Sequence, residues 1–444
     1  MANQYKDALL SGDYKLAIWG AGYLGYSELA NFVMSGICCA ISDYSEERLS
    51  RIQSDYQPYD FIHRYFNHVP TNLDISEKID VRKSYQELIT QDALVHILCV
   101  PTQEESSPST KWMMEALHHF VKIKNISLQI SPLLIIESSL VPGTMDRLIL
   151  PFLKEHGLIP GENILIGICS RTDWFDEEGK SFDSPRVVSS VTGEDISCIS
   201  EIMTMTGARI IQTANYRVAE LVKSIENSYR QMDTAMANQL ALAFPDVDIR
   251  ETLRLVSMRC NLSCGSPNFG TGGYDLPSAS QYVMEGAAVP EYLSLFREAN
   301  YADLAMPKMI ADLVIRKNYK KIGVLGLSYR SNLKIVAMSP SIRIIEHLKN
   351  SRLDVYCYDP YYTHEEIFSI VSVASFPFPD GLSWFDAVLV AAGHRIFGMI
   401  SWDILKTKLN SCELVLDNMG IWANRPWSET NTAYRMVGTP GWND

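Results

Sequence analysis

The chain has 444 residues, which is more than one ordinary hydrophobic core contains and predicts about two to three domains. Its 39 Lys and Arg against 52 Asp and Glu give a formal charge of −13, which argues against a general binder of nucleic acid. The nine cysteines are scattered without a CxxC pair, which argues against a disulfide framework and a metal site.

The N-terminal stretch MANQYKDALLSGDYK lacks the apolar segment of a signal peptide. Later apolar runs stay short of the roughly 20 residues that span a bilayer. We therefore expect a soluble, cytoplasmic protein that does not enter a membrane.

The first strong pattern is a strand, a glycine-rich turn and a helix. The apolar run KLAIW, residues 15–19, leads into GAGYLG, which contains Gly20, Gly22 and Gly25, and a helical stretch follows. Glycine allows the tight turn and the close approach of the backbone to a pyrophosphate, and the start of a helix attracts phosphate. The pattern favours dinucleotide binding over a glycine turn without a cofactor.

The next predicted strand indicates which dinucleotide binds. Residues 37–42 end at Asp43, about 20 residues after the glycines, where a carboxylate accepts hydrogen bonds from the ribose hydroxyls of adenosine. This position favours NAD over NADP. Arg48 and Arg51 follow on the next predicted helix and leave that preference open.

Further strands alternate with helices, which predicts a parallel sheet. Residues 93–100 precede the turn at Pro101 and Thr102, and residues 133–136 precede the segment ESSLVPGT. Ligands bind at the carboxyl ends of such strands, so these turns are predicted to line a nicotinamide pocket, although each also fits an ordinary turn. The predicted cofactor-binding residues are Gly20, Gly22, Tyr23, Leu24, Gly25, Asp43, Pro101, Thr102 and Ser139.

A long helix is predicted over residues 219–244, because neither Gly nor Pro occurs before Pro245. Lys223 and Asn227 lie one turn apart on a polar stripe, where they can hold one oxygen between them or form a solvated face. The apolar face exceeds what one flanking domain covers, which predicts a homodimer. The apolar positions, predicted to face the core, are Val222, Ile225, Tyr229, Met232, Met236, Leu240 and Ala243.

A second βα pattern begins at residues 320–327, KKIGVLGL, and continues through Arg330 and a helix opened by Ser339 and Pro340. Further strands are predicted at residues 353–358, 385–392 and 413–417. The predicted fold class is therefore α/β, with two Rossmann-like doubly wound parallel-sheet domains joined by a long central helix.

The motifs GAGYLG, CVPT, ESSLVPGT and AELVK, with Asn227 four residues after the Lys, resemble the UDP-glucose/GDP-mannose dehydrogenase family in order and spacing. The resemblance covers most of the chain, although Ser139 stands where that family usually has Thr. It implies an NAD-binding Rossmann domain in residues 1–205 and a central helical, dimerising domain with the active-site glycine loop in residues 206–310. A domain that binds the UDP part of a nucleotide sugar is implied in residues 311–444, and polysaccharide precursor synthesis is the implied pathway.

The glycine loop departs from that family's GGxCxPKD pattern. Here the loop reads GTGGYDLPSAS, in which Asp275 replaces the nucleophilic Cys, Ser278 the Lys and Ala279 the Asp. A carboxylate cannot form the thiohemiacetal of a four-electron oxidation to the acid. Asp275 is therefore interpreted either as a catalytic base or as a turn residue beside glycines.

Other positions depart as well. Ala337 stands where the family has an Arg, Asn418 and Met419 follow Asp417 where it has Asp-x-Arg, and Arg330 stands for a phosphate-binding Lys. The resemblance implies catalytic roles for Lys223, Asn227, Asp275 and Asp173, the last in place of a Glu. The implied substrate-binding residues are Gly270, Gly272, Gly273 and Arg330, and no metal is implied.

Three functions follow from these residues. The first is an NAD-dependent oxidoreductase that performs one two-electron or redox-neutral reaction on a nucleotide sugar. The second is a binding or regulatory protein of the same fold without turnover. The third is a full four-electron UDP-sugar 6-dehydrogenase using Cys260 or Cys264, which are interpreted as structural thiols.

Overall fold

The structure is a computed structural model that describes residues 2–55, 76–104, 107–171, 185–193, 195–259 and 262–443. The described residues form two compact units. The first contains the chain up to Glu226 together with Glu285–Ala288, and the second contains Asn227–Met284 and the residues from Val289 onward. The division into three domains stays a prediction.

The first unit is built on one large sheet. Its strands are β1 (Lys15–Trp19), β2 (Cys39–Ser42), β3 (Ile79–Val81), β4 (Ala93–Leu98), β7 (Leu133–Ile136), β8 (Leu165–Ser170), β9 (Arg186–Ser190) and β10 (Ile210–Gln212), while β5 (Gln103–Glu104) and β6 (Ser107–Pro108) form a separate pair. The order in the eight-stranded sheet is β10-β9-β8-β7-β4-β1-β2-β3, and only β9 pairs antiparallel to β8. Read from the β3 edge, the six strands β3, β2, β1, β4, β7 and β8 have the 3-2-1-4-5-6 order of dinucleotide-binding folds.

Helices cover both faces of this sheet. They are α1 (Ala2–Leu10), α2 (Tyr23–Met34), α3 (Glu46–Asp55), α4 (Lys111–Phe120), α5 (Leu150–Glu155), α6 (Ile196–Thr204) and the first part of α7 (Tyr216–Ala243). Alternate residues of β1 enter two different cores: Leu16 and Ile18 pack in the cluster that includes α2, and Ala17 and Trp19 in the cluster that includes α4. Burial on both faces explains why these strands are continuously apolar.

The second unit contains a smaller sheet. Its strands are β11 (Lys321–Leu325), β12 (Asp354–Tyr358), β13 (Ala387–Val390), β14 (Leu414–Asp417) and β15 (Ala433–Met436), and its helices after α7 are α8 (Ile249–Ser257), α9 (Leu276–Gly286), α10 (Ser294–Arg316), α11 (Pro340–Asn350), α12 (His364–Val371), α13 (Arg395–Gly398) and α14 (Trp402–Lys408). The five strands are all parallel in the order β12-β11-β13-β14-β15. The predicted class, two doubly wound α/β sheets, is confirmed.

The faces of α7 differ from the prediction. The apolar stripe was expected to face the core, yet Tyr229 is 71% and Met236 47% exposed. The side chains of Lys223, Asn227 and Gln231 are buried instead. Periodicity separated the two stripes, but the polar stripe is the buried one. Gln231 shows how burial is tolerated, since it donates to the Pro277 carbonyl at 3.3 Å and accepts from Ser280 Oγ at 2.6 Å.

None of the helices in the described part of the chain is both long enough and apolar enough to cross a membrane.

Candidate functional site

The glycine turn after β1 contains two positions that only glycine can fill. A β-carbon on Gly20, where φ is +101°, would lie 2.6 Å from the carbonyl oxygen of Cys99. A β-carbon on Gly25 would lie 1.8 Å from the carbonyl oxygen of Gly20. The turn therefore packs directly on the end of β4, and α2 packs directly on the turn.

Gly22 differs from these two positions. Its backbone angles are φ −67° and ψ −174°, it immediately precedes α2, and a β-carbon there would meet no atom within 4 Å. The space above the start of α2 is thus open where helix amides and the helix dipole favour phosphate. Tyr23 and Leu24 begin the helix and are half-buried. This cradle fits the pyrophosphate of a dinucleotide.

The carboxylate of Asp43 connects the end of β2 to the glycine turn. The Ala21 amide donates to Oδ2 at 2.6 Å, the Ser45 amide donates to Oδ1 at 2.8 Å, and Arg48 Nη1 lies 3.4 Å from Oδ1. Arg51 pairs with Glu47 at 2.6 Å. Of the two arginines that leave the preference for NAD open, Arg48 is therefore the one beside Asp43.

The turns after β4 and β7 lie side by side. Ser138 Oγ donates to the carbonyl oxygens of Leu98 at 3.2 Å and Val100 at 2.8 Å. Pro101 is exposed and Thr102 half-buried in the same β4 turn. The structure thus brings the predicted turns together at the carboxyl edge of the sheet, next to Gly20.

Lys223 and Ser139 share a small recess. The residues that line it are Glu137, Ser138, Ser139, Leu140, Ile168, Ser170, Ala219, Glu220 and Lys223. Lys223 and Asn227 are each 5% exposed, so the interpretation of their stripe as a solvated face is wrong. A buried ammonium in a recess lined by hydroxyl groups can bind and polarise an oxygen.

Glu220 supports this recess and was missed by the sequence analysis as a site residue. Its Oε2 accepts from the Gly143 amide and its Oε1 from the Met145 amide, each at 2.9 Å. Burial raises the pKa of its carboxyl group. The AE of the AELVK motif could have identified it, because Glu220 precedes Lys223 by one helical turn. Its two hydrogen bonds hold the segment after β7 against α7.

A buried cluster of charged side chains lies next to the recess, within the first unit. Arg186 lies 2.7 Å from Glu28 Oε1 and 3.2 Å from Glu137 Oε1, and Arg171 pairs with Glu28. Cys99 Sγ donates to Glu137 Oε2 at 3.2 Å. Although burial opposes its charge, Arg186 and Arg171 lower the pKa of Glu28, whereas burial and the charge of Glu28 raise the pKa of Glu137 to about 8.

In the second unit, the glycine loop packs against Tyr329. A β-carbon on Gly272 would lie 2.5 Å from Cβ of Tyr329, and one on Gly273, where φ is +94°, would lie 3.1 Å from the ring. The Gly273 amide also donates to the Ala337 carbonyl at 2.8 Å. Gly270 has φ +111°. Gly272 and Gly273 therefore shape the loop against the segment after β11, whereas a β-carbon on Gly270 would lie 3.2 Å from the carbonyl oxygen of Asp303 in α10.

Asp275 is exposed and directly precedes α9, while Ser278 and Ala279 are buried in the first turn of that helix. Aspartate is favoured before a helix because its carboxylate accepts hydrogen bonds from the first amides. The location fits the turn interpretation and leaves the carboxylate accessible as a base. Asp173, proposed as its neighbour, lies outside the described residues.

The loops after β11, β12 and β13 meet through one histidine. His394 Nδ1 accepts from the Asn332 amide at 2.9 Å, and His394 Nε2 donates to Asp359 Oδ2 at 3.0 Å. The Arg395 amide donates to Asn332 Oδ1 at 2.8 Å. This is the switch point of the sheet, where ligands bind in such folds, and Arg330 is half-buried two residues before Asn332. His394 was missed because a single His after a strand has no spacing signal.

Comparison with known proteins agrees with this arrangement. Residues 323–424 match the UDP binding domain of the UDP-glucose/GDP-mannose dehydrogenase family. The chain is 24% identical to the UDP-N-acetyl-D-mannosamine dehydrogenase of Pyrococcus horikoshii, over 92% of this chain and 96% of that protein. It is also 24% identical to Protein CapL of Staphylococcus aureus, over 91% of this chain and 96% of that protein.

Solved structures show the same fold. A UDP-D-ManNAc dehydrogenase from Pyrococcus horikoshii has a TM-score of 0.79 at 22% identity, over 96% of this chain and 100% of that one. A UDP-glucose dehydrogenase from Pyrobaculum islandicum has a TM-score of 0.78 at 17% identity, over 96% and 99% of the two chains. The fold is that of nucleotide-sugar dehydrogenases. The chain is thus similar over most of its length to nucleotide-sugar dehydrogenases, and its residues 323–424 match the UDP binding domain of the UDP-glucose/GDP-mannose dehydrogenase family.

Proposed function

We propose that this protein is an NAD-dependent oxidoreductase that performs a single two-electron or redox-neutral reaction on a nucleotide sugar. The observation that carries the proposal is the glycine turn. Gly20 and Gly25 are held by close backbone contacts, while the space at Gly22 is open at the start of α2. Beside it, Asp43 provides the carboxylate for the ribose. Apart from CapL, the similar proteins cited above are named as UDP-sugar dehydrogenases. Their names support a nucleotide sugar as the substrate.

Lys223 is the proposed electrophilic group. Its buried ammonium would stabilise the alkoxide that develops on the sugar when a hydride leaves for the nicotinamide, and Asn227 would donate to the same oxygen. Electrostatic stabilisation is stronger in a buried site than in water. Ser139, in the same recess, would orient the reacting groups.

The presence of Asp275 in place of a cysteine is the reason why we propose that the sugar is not oxidised to an acid. A carboxylate accepts or returns a proton but forms no thiohemiacetal, so the reaction stops at the two-electron stage or returns the hydride. Cys264 packs against the hydrophobic core of the second unit, which supports its interpretation as a structural thiol. We propose catalytic roles for Asp275, as the base, and for Asp173.

The nucleotide is proposed to bind at the switch point between β11 and β13. Arg330 would pair with the phosphates, and the loop of Gly270, Gly272 and Gly273 would approach the sugar. The matched family domain, residues 323–424, includes β13 and the end of β11. Ala337, where the resemblance expects a second cation, predicts weaker phosphate binding than in that family.

We further propose a homodimer through α7. Tyr229 and Met236 are 71% and 47% exposed on its apolar face. Val218 and Leu221, closer to the start of the same helix, are 45% and 37% exposed. Apolar side chains along one helix are usually covered by a partner, and a symmetric pairing of two α7 helices would cover both copies.

A second function is favoured by the losses at Asp275 and Ala337: a binding or regulatory protein without turnover. Both are tested by incubating the protein with NAD and UDP-, GDP-, CDP- and dTDP-sugars, then measuring reduced cofactor by absorbance and products by mass spectrometry. Turnover without a sugar acid supports the oxidoreductase, and saturable binding without any product supports the second function. Nucleotide-sugar binding without measurable NAD binding would overturn the oxidoreductase proposal.

A further inference from the structure

The carboxyl group of Glu137 lies where the recess of Lys223 meets the buried charge cluster. Glu137 follows β7 at the carboxyl edge of the sheet, lines the recess and has a fully buried side chain. We propose that Glu137 is a proton-exchanging group of the cofactor site: it carries a proton in the free protein and releases it when a cationic nicotinamide binds at the mouth of the recess. The inference rests on the proposed binding of NAD.

The two acids of the cluster have unequal partners. Arg186 is closer to Glu28, at 2.7 Å, than to Glu137, at 3.2 Å, and Arg171 pairs with Glu28. The second oxygen of Glu137 accepts a hydrogen bond from the thiol of Cys99. Because both guanidinium groups compensate Glu28 better, Glu137 is the acid of this pair that takes up a proton.

Charged and titratable groups reach Glu137 from every side. They are Glu28 of α2, Cys99 after β4, Cys169 of β8, Arg171 after β8, Arg186 of β9, and Glu220 and Lys223 of α7, which share the recess. Burial raises the pKa of Cys99 well above its usual value, so the thiol stays neutral. Because both arginines also pair with Glu28, a further positive charge at the recess would favour the ionised form of Glu137.

The sign of the effect follows from linkage. Burial and the charge of Glu28 raise the pKa of Glu137 to about 8, so the free protein carries this proton through the neutral range. Oxidised NAD has a cationic ring, which lowers the pKa of a neighbouring carboxyl group, whereas the ring of NADH is neutral. The affinity for oxidised NAD therefore rises with pH until about pH 8 and then levels, by at most about tenfold per pH unit.

The test compares the two cofactors on the wild-type protein. Calorimetric titrations with NAD and with NADH, from about pH 6 to about pH 9 and in buffers of different ionisation enthalpy, give the affinity and the number of protons released. We expect the affinity for NAD to increase about threefold to tenfold per pH unit below about pH 8, with release of up to one proton. The affinity for NADH should stay constant over the same range.

Two variants identify the group. Glu137→Gln resembles the protonated acid and should bind both cofactors with affinities that no longer depend on pH. Glu220→Gln tests the other buried acid of the recess as the source of the proton, and Glu155→Gln, an exposed acid at the end of α5, is the control that should keep the wild-type pH dependence of NAD binding. The wild-type comparison of NAD with NADH stands by itself if a variant does not fold.

Three results would overturn the inference. If the affinities for NAD and NADH depend on pH to the same extent, Glu137 does not exchange a proton on cofactor binding, although the proposed NAD binding still holds. Loss of the dependence in Glu220→Gln but not in Glu137→Gln would assign the proton to Glu220. Absence of binding by either cofactor would overturn the proposed function, and this inference with it.

Discussion

A β-carbon on Gly25 would lie 1.8 Å from the carbonyl oxygen of Gly20, whereas a β-carbon on Gly22 would meet no atom within 4 Å. The two glycines of one motif should therefore respond differently to substitution. Gly25→Ala forces the backbone of the turn apart, and we expect a loss of more than about 3 kcal/mol in the free energy of unfolding. Thermal and denaturant unfolding measure this loss.

Gly22→Val should leave folding within about 0.5 kcal/mol of the wild type, because its backbone angles suit other residues. Its side chain would instead occupy the space proposed for the pyrophosphate, so NAD affinity should fall at least about tenfold, as measured by calorimetry. Unchanged NAD affinity in a folded Gly22→Val protein would place the pyrophosphate elsewhere.

The buried imidazole of His96 should make the free energy of unfolding depend on pH in the acid range. Its imidazole is fully buried, Nδ1 accepts from the Trp19 indole at 3.1 Å, and burial lowers its pKa from 6.5 to about 4. The unfolded chain binds the proton first, so stability is complete above about pH 6.5 and declines as the pH falls toward about 4, by about 3 kcal/mol. Urea unfolding across this range should show a smaller decline in His96→Gln; an identical decline would contradict the assignment.

The exposed face of α7 predicts the oligomeric state. Met236→Asp places a charge on the proposed contact, where desolvation of an unpaired carboxylate opposes association, and should convert the dimer to a monomer at micromolar concentration. Light scattering measures the mass. Phe368→Asp is the matched control, because Phe368 is 61% exposed on α12, and it should leave the dimer intact. A monomeric wild type would remove the dimer proposal.

Asp275 predicts the product. The wild-type protein should form no sugar acid, and Asp275→Asn should lower turnover far more than nucleotide-sugar affinity, since the amide keeps the size and loses the basicity. Asp275→Cys should not restore acid formation, because Ala279 and Asp173 still differ from the family pattern. Mass spectrometry and steady-state kinetics distinguish these outcomes. Unchanged turnover in Asp275→Asn would make Asp275 a turn residue only.

Arg330 predicts where the nucleotide binds. Removal of its guanidinium should weaken UDP binding by about 1.5 to 3 kcal/mol, the range for hydrogen bonds to charged groups. Titration calorimetry with UDP measures the change in Arg330→Ala. Arg316→Ala, at the exposed end of α10, is the matched control and should bind UDP as the wild type does. Equal affinity in both variants would move the phosphates away from the switch point.

The local patterns of the sequence determined most of the fold. A continuously apolar strand followed by the glycine turn, and a second strand ending at Asp43, define a dinucleotide unit because each step depends on neighbours in sequence. The structure confirms the two doubly wound sheets and places the Ala21 amide 2.6 Å from Asp43. The end of α7 agrees with the prediction to within one residue, since Pro245 cannot continue a helix, whereas the helix starts at Tyr216, before the predicted Ala219.

Tertiary structure alone decided which face of α7 is buried. Periodicity separates an apolar stripe from a polar one, but burial depends on what packs against each stripe, and here Gln231 is buried while Tyr229 is 71% exposed. The buried charge cluster could not be predicted from the sequence either. Glu28 and Arg186 are distant in sequence, and the order of the strands brings them to 2.7 Å from each other. Long-range pairing of this kind leaves no local signature, since each residue by itself resembles an ordinary surface charge.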